Sequence, residues 1–259
     1  MRLFLSILIY ACGLLFSTPV QGAGIPFEFR DGLIWIKVAA VGSEVPLNFL
    51  LDSGAGSTVL STDAARKLQV RQGPATTVQR VNAAGTGAYR ARDFQASWAG
   101  IPVSKTPLVV DLSHTSSFCC RPIDGLVGQD FLRGRIVQIN FKTRAIYLLD
   151  RAETVKGSAV MKLKLDNSAF CVALSVNGSS PRWTRLDTGC DDSLHWVGGG
   201  EAQPRSSVRI GTEHLTNVKT AWHRTEIFPS EAGLLGNGVL SNYVVTIDAV
   251  KGRLLLKKA

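Results

Sequence analysis

Charge is sparse in this chain: 19% of its 259 residues are Asp, Glu, Lys or Arg. The excess is positive, a formal net charge of +9, yet no basic run is longer than Lys257–Lys258 and aromatics do not interleave with basic residues. The footprint of a nucleic-acid module is missing, and no nucleic-acid partner is expected. Long apolar runs are absent after residue 22, which leaves no candidate for a membrane-spanning helix in the rest of the chain. Cysteine is scarce. Five residues with no Cys-x-x-Cys pair are too few for a disulfide scaffold and wrongly spaced for a zinc or dithiol site. The four histidines, His114, His195, His214 and His223, match no His-Glu-x-x-His or comparable ligand pattern. They read as surface or structural residues, and metal catalysis has no support.

What is present begins with a leader. Arg2 precedes the apolar run Leu3 to Phe16, which Ser17-Thr18-Pro19 interrupts before the small residues Gly22 and Ala23. A positive start, an apolar stretch shorter than a span and a small-residue exit read as a secretory signal over residues 1–22, cleaved after Gly22. An uncleaved anchor helix is the alternative. Cys12 lies inside the apolar run, a poor place for a lipoprotein cysteine. The chain is therefore expected to be exported, periplasmic or secreted, where disulfides are permitted. One bridge is expected among Cys119, Cys120, Cys171 and Cys190, with the pairing open.

Strand signals dominate the remainder. Leu33–Val38, Leu47–Leu51, Ile136–Phe141 and Ala145–Leu149 are leucine-rich, β-branched or aromatic runs punctuated by Gly, Asn, Ser or Pro. The clear helix start in the first half is Ser61-Thr62-Asp63, capping Ala64–Leu68. The two halves then repeat one another. Phe49-Leu-Leu-Asp52-Ser53-Gly54-Ala55 is matched by Thr184-Arg-Leu-Asp187-Thr188-Gly189-Cys190. Gly125-Leu-Val-Gly128 and the hairpin-like Val137–Leu148 return as Gly233-Leu-Leu-Gly236 and Val245–Leu256, at a common offset of 108 positions. One Asp-Ser/Thr-Gly triplet is a turn. Two copies, each ending an apolar strand and each followed by the same pair of elements, are not explained that way.

At Leu51-Asp-Ser-Gly-Ala55 with Ser57-Thr-Val-Leu60, at Leu186-Asp-Thr-Gly-Cys190, and at the two Gly-Leu-Val/Leu-Gly segments, the chain resembles the retropepsin-like and pepsin-like aspartic proteases. Within them it is most similar to the bacterial exported group in which two such units are fused. The resemblance implies an all-β, bilobal acid-protease fold with a few short helices. Residues 23–152 would form a first lobe and residues 153–259 a second. It further implies an aspartic endopeptidase working as a monomer on peptide or protein substrates without a cofactor, with Asp52 and Asp187 as the catalytic pair. Ser53, Gly54, Thr188 and Gly189 would be the supporting turns, with the Ser53 and Thr188 hydroxyls bonding across the lobe boundary.

Two carboxyls about 3 Å apart cannot both ionise, so they share a proton. The ionised one can take a proton from water while the other donates to a substrate carbonyl. The competing reading is a catalytically inactive peptide-binding protein of the cell envelope, since a fold does not determine a function. Cys190 reads as a buried thiol, Asp191 and Asp192 as solvated or structural, and neither Ser57 nor Ser193 has a His/Asp set that would make it a nucleophile.

The halves are unequal. From Asp52 to the Gly100 turn is 48 positions, whereas from Asp187 to the Gly211 turn is 24. The second half lacks the region holding the helix and Asn82–Tyr89, which with its flanks Val78–Val81 and Arg90–Phe94 looks like a hairpin flap. Gly85, Thr86, Gly87 and Tyr89 are its candidate substrate-covering residues. One flap, from the first lobe, is expected, and Gly198–Pro204 should be a loop in the second.

Overall fold

Strands form where the apolar runs lie, and they place both Asp motifs at strand ends. A computed structural model describes residues 24–259 apart from 81, 82, 167 and 199–203. Residues 1–22, expected as a leader, and most of the loop expected over Gly198–Pro204 lie outside the described residues. Leu47–Leu51 runs between Leu33–Ala40, antiparallel to it, and Gly125–Val127, parallel to it. In the same way Arg182–Leu186 runs between antiparallel Ala169–Val176 and parallel Gly233–Leu235. The Gly-Leu-Val/Leu-Gly repeat is thus a strand in both halves, beside the strand that delivers the aspartate. Helices among the described residues are short. Thr62–Lys67 starts at Ser61, whose Oγ accepts the Ala64 N–H at 3.0 Å. Asp63 in its first turn and Arg66 and Lys67 in its last suit the helix dipole.

The molecule is all-β and bilobal. The two lobes are sewn together by the repeated hairpins. Ile136–Asn140 pairs antiparallel with Tyr243–Asp248, so that Val137 faces Ile247, Gln138 faces Thr246 and Ile139 faces Val245. Positions 138 and 246 differ by the repeat offset of 108, which puts a pseudo-two-fold axis through that rung, where Gln138 Nε2 donates to Thr246 Oγ1 at 3.1 Å. The seam belongs to a 12-stranded sheet that continues into the second lobe, while the rest of the first lobe forms a 10-stranded sheet. Val137, Ile139, Val245 and Ile247 are fully buried in one apolar cluster that runs through both halves.

Two expectations need correction. The hairpin of the first lobe is longer than the sequence suggests. Its strands are Arg71–Arg80 and Ala83–Arg92, with Arg80 opposite Ala83; residues 81 and 82, which include the expected Asn82, lie outside the described residues. The glycine-rich segment expected between the flanks of the flap is itself strand from Ala83 on, with Thr86 opposite Val78 and Gly87 opposite Thr77. Gly85 tolerates this because a Cβ there would collide with the Thr77 methyl at 2.7 Å, so a small residue permits close strand approach. The expected disulfide does not form either: Cys119, Cys120, Cys171 and Cys190 are free. Cys119 packs in the apolar cluster around Trp35, Cys171 is buried in a central strand of the second lobe, Cys190 lies under the second Asp turn, and Cys120 faces solvent. Each thiol has its own surroundings.

Between Leu194–Val197 and Arg205–Ile210 the second lobe has residues 198–204, where the first lobe inserts its helix and long hairpin between Val59–Ser61 and Ala96–Trp98. Both later strands pair with the strand before the Asp strand, Ile210 opposite Leu174 and Ser97 opposite Ala39.

A charge at the seam should undo the whole molecule. Ile139→Asp would bury an unpaired carboxylate between the lobes and is expected to cost at least about 3 kcal/mol in denaturant unfolding. Lys142→Ala in the exposed turn beyond it should change stability by no more than about 0.5 kcal/mol.

Candidate active site

The two Asp strands end at the pseudo-two-fold axis, and their turns meet there. Each aspartate is anchored by its own lobe in the same way. Asp52 N–H donates to Val127 O and Asp187 N–H to Leu235 O, both at 3.0 Å. Each turn then folds back on its carboxyl: the Gly54 and Ala55 N–H groups donate to Asp52 Oδ1 at 2.9 Å, and the Gly189 N–H donates to Asp187 Oδ1 at 3.0 Å. The Gln129 side-chain amide donates to Ser53 O at 2.9 Å, and Asn237 donates to Thr188 O at 2.8 Å and to Gly32 O at 2.7 Å. Gln129 and Asn237 hold equivalent places just after Gly128 and Gly236, and nothing in the repeat singled them out.

Across the axis the turns lock reciprocally. The Ser53 N–H donates to Thr188 Oγ1 at 2.9 Å, and that hydroxyl donates to Leu51 O at 2.8 Å. In return the Thr188 N–H donates to Ser53 Oγ at 3.0 Å, and the Ser53 hydroxyl donates to Leu186 O at 2.8 Å. All four bonds are buried. Gly54 and Gly189 allow the approach: a methyl on Gly54 would strike the Asp187 carboxyl, and one on Gly189 would strike that of Asp52. Each carboxyl thus sits against the glycine that follows the other, which brings the two together.

Electrostatics follow from that crowding. Burial pushes both carboxyls up, and for Asp187 the neighbouring Asp52 charge adds to it, bringing it to about 8. Asp52 has two turn N–H groups on its oxygen against one on Asp187, so Asp52 is the better-stabilised anion and Asp187 the proton holder. The pair titrates as a unit.

A third charged group stands beside it that the motif analysis missed. Arg185, two residues before Asp187, is buried and clasped by buried Glu231 through Nε–Oε2 at 2.7 Å and Nη2–Oε1 at 2.6 Å. Its Nη1 donates to Gly54 O of the other lobe at 2.7 Å. The available signal was a charge in the strand Arg182–Leu186 at the place where the repeat has Leu50.

The remaining candidates fall elsewhere. Asp192 is paired with Lys219 at 2.8 Å and with His195 at 3.2 Å, and these neighbours hold its carboxyl below the usual range. His195 and His223, separate in sequence, stack with Nδ1 and Nε2 2.9 Å apart, because Leu194–Val197 runs parallel to the end of Glu213–His223. The Cys190 thiol is pushed up by burial and by the Asp187 charge, which keeps it neutral. Gly85, Thr86 and Gly87 lie along the second hairpin strand, and Tyr89 sits lower, opposite Ala75 and Val109, half-buried against the core.

Comparison with known proteins agrees with this geometry. Residues 38–134, which include Asp52, match the model of the gag-polyprotein putative aspartyl protease family. The whole fold is similar to that of an aspartic proteinase from Irpex lacteus, with a TM-score of 0.60 at 10% identity, covering 92% of this chain and 97% of that one. No curated protein matches by sequence.

Two outcomes test the site as a physical object. Ser53→Ala strands the Thr188 N–H and the Leu186 carbonyl in a buried place and should cost about 2 kcal/mol or more in denaturant unfolding. Asp187→Asn should stabilise. A carboxyl raised to about 8 in the fold binds its proton more tightly than the unfolded chain does, so its stabilising contribution is whole below about pH 4 and is lost as pH rises toward 8. Thermal unfolding should therefore show a Tm gain of at least about 2 °C for the variant at pH 7 and none near pH 3.

Proposed function

We propose that this chain is an aspartic endopeptidase that hydrolyses peptide bonds with a water activated between Asp52 and Asp187. The observation that carries the reading is the reciprocal Ser53–Thr188 lock, which sets two carboxyls from different lobes face to face at the end of two anchored turns. A pair of ordinary turn aspartates has no need of such an arrangement.

The chemistry follows from the shared proton. Ionised Asp52 accepts a proton from water as the water oxygen attacks the scissile carbonyl carbon. Asp187 gives its proton to the carbonyl oxygen, which leaves a neutral gem-diol and no isolated oxyanion. The proton now on Asp52 passes to the amide nitrogen as the C–N bond breaks. One diol hydroxyl returns its proton to Asp187, and the pair is back in its starting state. Arg71–Arg92, the hairpin found in the first lobe alone among the described residues, would act as the flap that excludes water over the reacting bond. In this reading Gly85, Thr86 and Gly87 offer backbone groups to an extended peptide, and Tyr89 braces the hairpin. The substrate is a peptide or an unfolded protein, the two fused lobes make a working monomer, and the apolar leader assigns the enzyme to the periplasm or the exterior.

The second reading, peptide binding without cleavage, draws on the shorter chain of the second lobe, which has only residues 198–204 where the first lobe inserts its helix and hairpin. The test separates them. The protein should cleave an unfolded protein between about pH 3 and 7, with activity falling as the shared proton leaves near pH 8. Asp52→Asn and Asp187→Asn should each reduce kcat by about 10³-fold or more while remaining folded. Binding of the unfolded chain without cleavage by the unaltered protein would establish the second reading in its place.

A further inference from the structure

The internal repeat supplies a control for the buried Arg185–Glu231 pair. Arg185 and Leu50 hold equivalent positions, each two residues before its aspartate and each opposite a leucine of the parallel strand, Leu234 and Leu126. Glu231 and Ile123 are likewise equivalent, each two residues before the first glycine of the Gly-Leu-Val/Leu-Gly repeat. In the first lobe Leu50 and Ile123 pack in one apolar cluster with Trp35. The second lobe puts a guanidinium and a carboxylate in the same place, with side chains 5% and 1% exposed. Buried ion pairs are commonly no better for stability than apolar side chains of similar volume. The first lobe demonstrates that this architecture closes without one, so folding does not account for the pair.

Its hydrogen bonds point to the dyad. Glu231 occupies Nε and Nη2, the Phe228 ring covers the guanidinium at 3.6 Å, and the free arm Nη1 reaches Gly54 O. Gly54 is the residue whose N–H holds Asp52 and whose Cα abuts Asp187. The other titratable groups packed around it do not supply a positive charge to the pair. Cys171, opposite Arg185 on the adjacent strand, is pushed up to about 12 by burial, and Cys190 beyond Asp187 is pushed up as well. Lys164 is bonded to Asp166 at 2.6 Å and stands over Trp183. Arg185 is the cation that lowers both Asp52 and Asp187 against the upward push of burial.

We propose that Arg185, gripped by Glu231, is a positioning residue for the aspartate pair: it fixes the Gly54 turn from the opposite lobe and sets, through its permanent charge, the pH range in which the two carboxyls share one proton. This rests on the endopeptidase reading for its consequence in catalysis, though not for its electrostatics. Two predictions of direction follow from charge alone, and one of folding from the repeat. Removing both partners withdraws the positive charge nearest the dyad and moves its titration up. Removing the Glu231 charge leaves Arg185 uncompensated and moves it down. Replacing the pair with the first lobe's own residues should do the former without unfolding the protein.

The experiment uses the mature full chain with Arg185→Leu/Glu231→Ile as a double variant and Glu231→Gln as a single one. Carboxyl-¹³C NMR of labelled aspartate, with Asp187→Asn to assign the dyad signals, reads the titration whether or not the protein cleaves anything. The kcat/KM profile on an unfolded protein is recorded beside it. The dyad titration is expected to rise by about 1 pH unit in the double variant and to fall in Glu231→Gln, with the alkaline limb of the rate profile following each shift. Unchanged titration in a folded double variant would overturn the proposal. If the double variant fails to fold, the Glu231→Gln shift decides: downward supports it, none or upward defeats it. An inactive parent protein whose dyad still shifts in these directions would defeat the endopeptidase reading and leave the role of Arg185 standing.

Discussion

Everything in this molecule serves one unfavourable contact, two carboxyls from different parts of the chain held within reach of each other and largely away from water. Left alone, such a pair would repel or spread apart. It is held by a grip at its base, where Ser53 and Thr188 exchange backbone and hydroxyl hydrogen bonds across the axis, and by two glycines that yield the space a Cβ would fill. The cost falls on the protonation equilibrium: the fold keeps a proton that free aspartates would lose, the proton that the proposed hydrolysis would use.

The remoter architecture can be traced back to the same contact. The grip needs the two lobes at a fixed distance, which the antiparallel pairing of Ile136–Asn140 with Tyr243–Asp248 provides along the same pseudo-two-fold axis. Each lobe then needs its aspartate at the end of a rigid strand, which flanking strands on both sides supply. Gln129 and Asn237 tie each turn to the short helix that follows. Symmetry stops at the edges of the site. One lobe carries a long hairpin and packs Leu50 and Ile123 in an apolar cluster, and the other has the Arg185–Glu231 pair in their place. Symmetry stops at the carboxyls too: two turn N–H groups bond Asp52 and one bonds Asp187, and that difference favours the proton on Asp187.

Much of this was legible in the residues because the repeat is written twice. Asp-Ser-Gly and Asp-Thr-Gly at the ends of apolar runs located both turns, and the common offset of the two later blocks identified the two hairpins, though not that they pair with each other. Ser61 marked its helix by capping chemistry that is local. What stayed hidden was non-local. Gly85 and Gly87 fall in a strand of the hairpin, and only at Gly85 would a Cβ meet the opposite strand, at the Thr77 methyl. His195 and His223 meet through a parallel pairing that no short-range pattern encodes. Arg185 lies in a strand whose neighbours are apolar, yet its partner is 46 positions away and its third bond reaches into the other lobe. Cysteines offered a possible bridge by number and compartment, but pairing depends on distances set only after folding.

The most direct test of the account asks whether the two carboxyls work as one unit. Residual kcat on an unfolded protein substrate can be measured for Asp52→Asn, for Asp187→Asn and for the double variant, each shown to be folded. If the pair shares one proton and one water, either single substitution removes the whole function, and the double variant is no slower than the singles. Independent losses that multiply in the double variant, or a single variant that keeps the parent rate, would contradict it.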